Sequence, residues 1–200
     1  MSRYIFLFDL DSTVTKQEIL PTISKKLGIY KKMTELTEST MSGEIPFKQS
    51  FLQRVELLKD IPVSEVSDMV SKIQLNNYLV KFIQNNRERC YIVTGNLDVW
   101  IDGLIKKIGM ERNTFCSKAI VKNDCIEDVF NIVDKNAVIS QMVLPFVAIG
   151  DGNNDAEMIE AAEVGIGYGG GRKNAPAVLA CATHAIYEEE KLVEFLERLL

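Results

Sequence analysis

The sequence predicts an α/β fold: a doubly wound, parallel (Rossmann-like) sheet with an inserted helical-bundle cap. Three short apolar runs have the composition of strands buried on both faces, at residues 4–8, 90–93 and 145–149. Amphipathic helical patterns alternate with these runs, which is typical of a parallel sheet covered by helices. Residues 16–73 break the alternation and contain no strand candidate.

Helical patterns lie between the predicted strands and after the last of them. The predicted helices cover residues 98–108, 134–143, 153–162 and 188–200. The last of them carries its leucines on one face, as a helix packed on a sheet requires. Residues 164–168 add a further strand before the glycine run Gly169–Gly171, and residues 113–133 contain two β-like runs around Asn123-Asp124, which predict a hairpin.

Residues 16–73 form the predicted cap. Three helical stripes are visible there, led by Ile19, Phe47 and Val63, and Gly43, Pro46 and Pro62 punctuate them. The segment is too long for a loop within a compact α/β fold, so we expect an inserted helical domain. The core is then expected to consist of residues 1–15 and 74–200.

Composition excludes several classes of protein. The 200 residues are 46% hydrophobic and 26% charged, which indicates a globular chain. The net charge is −5 and no long basic run is present, so we expect no nucleic-acid partner. No apolar run approaches the length of a membrane span, and the four dispersed cysteines fit reduced thiols, so we expect a cytoplasmic protein without a membrane partner.

Polar residues follow each of the three best strands. Asp9 and Asp11 follow the first, Thr94-Gly95-Asn96 the second, and Gly150-Asp-Gly-Asn-Asn-Asp155 the third. Ligands of open parallel sheets bind at the carboxyl ends of the strands. If the backbone stays extended after the first strand, both aspartates leave the same face.

This group of residues predicts a metal-assisted reaction of a phosphate. Several carboxylates at one sheet edge repel one another unless a cation lies between them, and oxygen ligands without His or Cys favour Mg²⁺. Thr94 and Gly95 offer a hydroxyl and an unhindered N–H before a helix, an arrangement that binds anions. A metal, an anion site and a carboxylate nucleophile together suit phosphoryl transfer.

The motifs Asp9-Leu-Asp-Ser-Thr-Val14 and Gly150-Asp-Gly-Asn-Asn-Asp155 resemble the first and fourth motifs of the haloacid dehalogenase superfamily of phosphatases. Within that superfamily the likeness is greatest to the phosphoserine phosphatases. It extends into the predicted cap, through residues 41–50 and 54–62. The resemblance covers most of the chain.

The resemblance implies catalytic roles for four residues. Asp9 is expected to be the nucleophile that forms an aspartyl-phosphate, and Asp11 the general acid and then the general base. Asp9, Asp11 (through its carbonyl) and Asp151 are expected to bind Mg²⁺. Lys135 is expected to hold phosphoryl oxygens, with Lys118 and Lys122 as alternatives.

The resemblance also implies a substrate site. Thr94, Gly95 and Asn154 are expected at the phosphate, while Asp155 supports the metal from outside its direct ligands. On the cap, Glu18 is expected to bind the amino group of phosphoserine and Arg54 its carboxylate. Met41 and Phe47 are expected to close over the site.

Three departures from the family pattern leave the substrate open. Asn96 replaces the usual second glycine of the Ser-Gly-Gly motif, the segment from Lys135 to Asp151 is short, and the Gly169–Gly171 run is unfamiliar. The expected partner is a small phosphorylated metabolite, and the expected oligomeric state is a monomer or a homodimer. The alternatives are another small phosphomonoester, a phosphotransferase, or an inactive relative that binds a phosphorylated ligand.

Overall fold

The computed structural model describes residues 4–143 and 145–200, so residues 1–3 and residue 144 of the predicted core lie outside the described part. Within these residues one sheet has seven strands in the order β4-β3-β2-β1-β5-β6-β7. Only β3 and β4 pair antiparallel; the other neighbours are parallel. The strands are β1 (Ile5–Phe8), β2 (Cys90–Leu97), β3 (Thr114–Lys122), β4 (Cys125–Asn131), β5 (Phe146–Gly150), β6 (Val164–Tyr168) and β7 (His184–Ile186).

Ten α-helices occur in the same described residues. They are α1 (Ile19–Ser24), α2 (Tyr30–Met41), α3 (Phe47–Glu56), α4 (Val63–Ser71), α5 (Asn77–Asn85), α6 (Asp98–Ile108), α7 (Lys135–Ile139), α8 (Ala156–Ala161), α9 (Pro176–Cys181) and α10 (Glu189–Glu197). None of the helices in the described part is both long and apolar enough to cross a membrane.

The central strand β1 shows how the sheet is buried on both faces. Its side chains alternate between two apolar clusters: Phe6 and Phe8 belong to one, and Ile5 and Leu7 to the other. Phe82 of α5 packs edge-on against Phe6 and Phe8. Helices α5, α6 and α10 contribute to the first cluster, and α7, α8 and α9 to the second. The sheet is therefore doubly wound, as predicted.

Most predicted elements are confirmed, with shifted ends. Helix α6 and the β3–β4 hairpin are found at the predicted places. The helix predicted over residues 134–143 is wrong in length, because α7 ends at Ile139 and the chain continues in tight turns at Gln141 and Met142. The helix predicted from Asn153 begins with a tighter turn, and the regular α8 begins at Ala156.

Helices α1–α4 lie between β1 and β2, and we call residues 16–73 the helical insert. The two chain segments that enter and leave it run side by side: Lys16 N–H donates to the Gln74 carbonyl, and Asn76 N–H donates to the Val14 carbonyl. Asn76 also donates its side-chain amide to the Thr13 carbonyl at 2.8 Å. These bonds fix the base of the insert beside the end of β1.

Candidate active site

A cavity of about 50 Å³ lies at the carboxyl ends of β1, β2 and β5, beneath the helical insert. This is the point where the strand order reverses: from β1 the chain moves outward through β2, then returns to β5 on the other side of β1. Its lining includes Asp9, Asp11, Glu18, Met41, Phe47, Arg54, Gly95, Asn96, Asp151, Asn154, Asp155 and Arg172. Most of the predicted site residues are therefore brought together.

The chain turns sharply after Asp9. Residues Leu10–Val14 form one wide turn, which the Thr15 N–H closes on the Leu10 carbonyl at 2.9 Å. Within this turn Ser12 has a φ of +56°, a left-handed conformation that is rare for a residue with a side chain. The prediction of an extended strand through Asp11 is wrong, since strand β1 ends at Phe8 and Asp11 lies inside the turn. Asp9 and Asp11 also contact different partners.

Asp9 lies in a buried ion-pair network with a lysine. The Lys135 Nζ is 2.5 Å from Asp9 Oδ1 and also pairs with Asp155 Oδ1, and all three side chains are buried. Burial raises the pKa of Asp9 to about 7, and Asp155 adds to that shift, while Lys135 opposes it. The alternatives Lys118 and Lys122 instead pair with Asp98 and Glu127.

Asp155 is fixed from two sides. Its Oδ2 accepts hydrogen bonds from the backbone N–H groups of Asp151 and Gly152, at 3.0 and 2.7 Å. A side chain at position 150 would displace the Asp155 carboxylate, because a Cβ added at Gly150 would lie 2.6 Å from the carboxyl carbon of Asp155. The glycines of this motif thus let the carboxylate return to the end of β5.

A cation fits between three of these carboxylates. Asp9, Asp151 and Asp155 each place an oxygen within 4.8 Å of the others, and all three are buried. Burial raises the pKa of Asp151 well above its usual value, a shift that Arg172 opposes. Buried carboxylates at such short range favour a hard divalent ion, because the ion neutralises their mutual repulsion.

Asp11 is held apart from this cluster. Its Oδ1 accepts from the Ile19 N–H at 2.9 Å, and its Oδ2 accepts from the Asn96 side-chain amide. Burial raises the pKa of Asp11 to about 7, and the nearby Glu18 adds to the shift. A carboxyl group with such a pKa exchanges a proton near neutral pH.

The second strand contributes a close contact with the insert. Thr94 is fully buried, and its Oγ1 accepts from the Asn96 N–H at 3.2 Å. An added Cβ at Gly95 would lie 2.1 Å from Phe47 Cζ, so only glycine permits the Phe47 ring to lie there. Phe47 therefore covers the end of β2.

Arg54 of α3 points towards the cavity with unsatisfied hydrogen-bonding capacity. It is 7% exposed, and its guanidinium lies 5.8 Å from the ring centres of both Phe47 and Phe51. Its Nε has no hydrogen-bond partner. A buried, unsatisfied guanidinium donor is costly, so it favours an acceptor supplied by a ligand.

Sequence reasoning missed Arg172. The guanidinium pairs with Asp151 through Nε, lies 3.0 Å from Glu18 Oε1 through Nη1, and donates to Met41 Sδ at 2.7 Å through Nη2. The preceding Gly171 packs on the backbone of Ser12, where an added Cβ would lie 2.5 Å from the Ser12 carbonyl oxygen. The position of the glycine run after β6 was the available signal, because strand ends form this site.

The doubly wound sheet, the turn after Asp9 and the buried cluster of Asp9, Lys135, Asp151 and Asp155 define a phosphatase of the haloacid dehalogenase superfamily. No family model matches the chain. Comparison with individual proteins nevertheless identifies a family within this superfamily. A phosphoserine phosphatase of Methanocaldococcus jannaschii is 30% identical over 83% of this chain and 85% of its own length. The chain belongs to the phosphoserine phosphatase family.

Other relatives agree with this assignment. A phosphoserine phosphatase of Archaeoglobus fulgidus is 29% identical over 96% of this chain, which spans only 58% of that relative's length. Among solved structures, a phospho-aspartyl intermediate analogue of phosphoserine phosphatase is 25% identical with a TM-score of 0.78, covering 98% of this chain and 99% of the other. A substrate-bound phosphoserine phosphatase complex has the same identity and TM-score and covers 99% of each chain.

Proposed function

We propose that this protein is a Mg²⁺-dependent phosphomonoester hydrolase that works through a phosphorylated Asp9 and accepts L-phosphoserine. The observation that carries the proposal is the buried network in which Lys135 joins Asp9 to Asp155 at the end of β1. Membership of the phosphoserine phosphatase family supports both the reaction and the substrate. The substrate is then a small phosphorylated metabolite, and the site of action is the cytoplasm.

In the first step an Asp9 carboxylate oxygen attacks phosphorus, and the bond from phosphorus to the ester oxygen breaks. Lys135 holds the attacking carboxylate and offers a positive charge to the phosphoryl oxygens. Gly95 and Asn154 line the cavity beside Asp9, and we assign them to the oxygens of the transferred group. Thr94 is assigned to the same oxygens from the family resemblance, although it does not line the cavity. The second step returns Asp9 when water attacks phosphorus and phosphate leaves.

Asp11 is the proton donor and acceptor of the two steps. It gives a proton to the leaving ester oxygen and then takes one from the attacking water, so it must change its protonation state twice in each cycle. A pKa of about 7 suits this exchange. The hydrogen bonds from Ile19 and Asn96 hold the carboxyl group in place.

Asp9, Asp151 and the backbone carbonyl of Asp11 would bind Mg²⁺ directly, and Asp155 would support them through its backbone contacts. A bound Mg²⁺ neutralises charge on the phosphate and orients it towards Asp9. Asp9 and Asp151 belong to the buried cluster whose three carboxylate oxygens approach one another within 4.8 Å, which supports these two ligands. The Asp11 carbonyl is assigned from the family resemblance.

The helical insert supplies substrate recognition. The unsatisfied Arg54 Nε suits the carboxylate of phosphoserine, and the partly buried Glu18 suits its ammonium group. Met41 and Phe47 cover the site. We propose that residues 16–73 act as a cap that opens for the substrate and closes around it, over a core of residues 1–15 and 74–200.

Phosphate release from a panel of small phosphomonoesters, measured with Mg²⁺ and with EDTA, tests the proposal. The expected result is hydrolysis of L-phosphoserine that EDTA abolishes and added Mg²⁺ restores. Metal-dependent hydrolysis of other esters without L-phosphoserine would overturn the substrate. Mg²⁺-dependent binding of phosphorylated compounds without any turnover would overturn the enzymatic function.

A further inference from the structure

The Glu18 carboxylate, which the proposed function assigns to the substrate's ammonium group, already has a cationic partner within the chain. Arg172 Nη1 lies 3.0 Å from Glu18 Oε1, and both side chains are about four-fifths buried, with exposures of 22% and 20%. Both residues line the same cavity as Arg54. A charged pair in such a place keeps its mutual attraction, because water screens it little.

Arg172 is held in place by more than this one pair. Its Nε pairs with Asp151 and its Nη2 donates to Met41, so the guanidinium has partners on the core and on the helical insert. The backbone before it is fixed as well, since Gly171 packs on Ser12. The cation is therefore a fixed part of the pocket.

The position of Arg172 has a direct consequence for an ammonium group bound at Glu18. The ammonium would share one carboxylate with a guanidinium and would lie beside that second positive charge. Repulsion between the two cations offsets the attraction of Glu18. The carboxylate of a substrate meets the opposite situation, because Arg54 has a free donor and Arg172 adds further positive charge.

We propose that Arg172 is a specificity-determining residue that weakens selection for the substrate's amino group, so that the site accepts carboxylate-bearing phosphomonoesters with or without an amine. This inference rests on the proposed function and names its substrate class more closely. The class is phosphorylated hydroxy acids, of which L-phosphoserine is one aminated member.

The test compares two esters that differ only in the amine: L-phosphoserine and 3-phosphonooxypropionate. A site built to bind the amine would reject the deaminated ester by about 10⁴-fold in kcat/KM. For the wild-type protein we expect the two kcat/KM values to agree within about tenfold. We define the selectivity ratio as kcat/KM for L-phosphoserine divided by kcat/KM for 3-phosphonooxypropionate. For Arg172→Ala we expect this ratio to rise about tenfold, because Glu18 is then free for the ammonium group.

Three further variants isolate the charge of Arg172. Arg172→Lys keeps the cation and is expected to keep the wild-type ratio, whereas Arg172→Gln removes it and is expected to behave like Arg172→Ala. Arg112→Ala removes an exposed arginine and serves as the matched control. The ratio compares two substrates in one preparation, so it does not depend on the fraction of folded enzyme.

Two results would overturn the inference: a strong wild-type preference for L-phosphoserine, or a ratio that Arg172→Ala leaves unchanged. Arg172 also pairs with Asp151, so its replacement could act through the metal site instead of through Glu18. Calorimetric titration of Mg²⁺ into the same variants distinguishes the two routes. A weaker Mg²⁺ affinity together with an unchanged selectivity ratio would also reject the role at Glu18. If neither ester were hydrolysed, the proposed function would fail, and calorimetric affinities of the two esters would decide the role of Arg172 by the same ratio.

Discussion

The polar groups of the strand ends and those of the helical insert are satisfied in different ways. At the strand ends, Lys135 joins Asp9 to Asp155, and Asp155 accepts two backbone N–H groups. On the insert, the buried Arg54 keeps an Nε without a partner, and Glu18 pairs with a residue of the core.

In the function that we propose, this difference divides the residues of the reaction from those that choose the substrate. Groups that are already held by several bonds need no reorganisation when charge develops on the phosphoryl group. Groups with unsatisfied donors gain most when a ligand supplies the acceptor. We therefore expect changes at the strand ends to affect all phosphate esters alike, and changes on the insert to affect esters selectively.

The largest effect is expected from Asp9→Asn. Removal of the proposed nucleophile should lower kcat by about 10⁴-fold or more for every ester, because an amide cannot form the acyl phosphate. Circular dichroism should show an unchanged fold. The exposed Asp60 provides the matched control, Asp60→Asn, with wild-type kcat. Activity of Asp9→Asn within about tenfold of wild type would reject the nucleophile assignment.

Lys135→Met should come next, and it should affect both rate and stability. Loss of one charge-stabilising donor should lower kcat by about 10²- to 10³-fold for all esters. Without Mg²⁺, removal of one partner from a buried ion pair should lower the free energy of unfolding by about 3 kcal/mol. The control Lys106→Met breaks an exposed pair with Asp102 and should cost less than about 1 kcal/mol. Urea denaturation measures the free energy of unfolding of both variants. An equal decrease for Lys135→Met and Lys106→Met would contradict the buried network.

Arg54→Ala should sharpen the contrast between the two regions. We expect kcat/KM for L-phosphoserine to fall by about 10²-fold, since a charged hydrogen-bonded contact to the carboxylate is lost. For 4-nitrophenyl phosphate, which has no carboxylate, the loss should stay below about fivefold. A similar loss for both esters would show that Arg54 does not select a carboxylate.

The smallest effect concerns pH and metal. Asp9 and Asp11 have pKa values of about 7 in the folded metal-free chain, above the ordinary 3.8, so the folded state binds more protons than the unfolded state between these values. Stability of the metal-free protein should therefore fall as the pH rises from about 4 to about 7. Mg²⁺ bound at the Asp9 carboxylate would compete with the proton of that group, so the increase in Tm that Mg²⁺ causes should be larger near pH 8 than near pH 5.5. Scanning calorimetry with EDTA measures the stability of the metal-free protein at each pH, and scanning calorimetry with Mg²⁺ measures the increase in Tm. An increase in Tm that does not depend on pH would contradict the raised pKa of Asp9.

The sequence predicted the core better than the edges of the site. Continuous apolar runs gave the central strands, and the residues after them gave Asp9, Asp11 and Asp151, because a parallel sheet brings strand ends together. Arg172 was not predicted, because it follows a glycine run that has no helical or strand periodicity. Its pairing with Glu18 depends on tertiary packing, in which Gly171 lies against Ser12. The wide turn after Asp9 was not predicted either, because the Thr15 hydroxyl fixes it: this hydroxyl accepts from the Ser12 N–H and donates to the Leu10 carbonyl.

The phosphorylated enzyme provides the most direct test of the central claim. Asp11→Asn should slow hydrolysis of the intermediate, because no group then takes the proton from the attacking water. The 4-nitrophenolate group leaves without a proton, so 4-nitrophenyl phosphate should still phosphorylate this variant. Acid quenching of the variant with 4-nitrophenyl phosphate and Mg²⁺, followed by fragmentation mass spectrometry, should locate one phosphoryl group on Asp9. A phosphoryl group on another residue, or turnover in the wild-type protein with no phosphorylated enzyme in either form, would contradict the account.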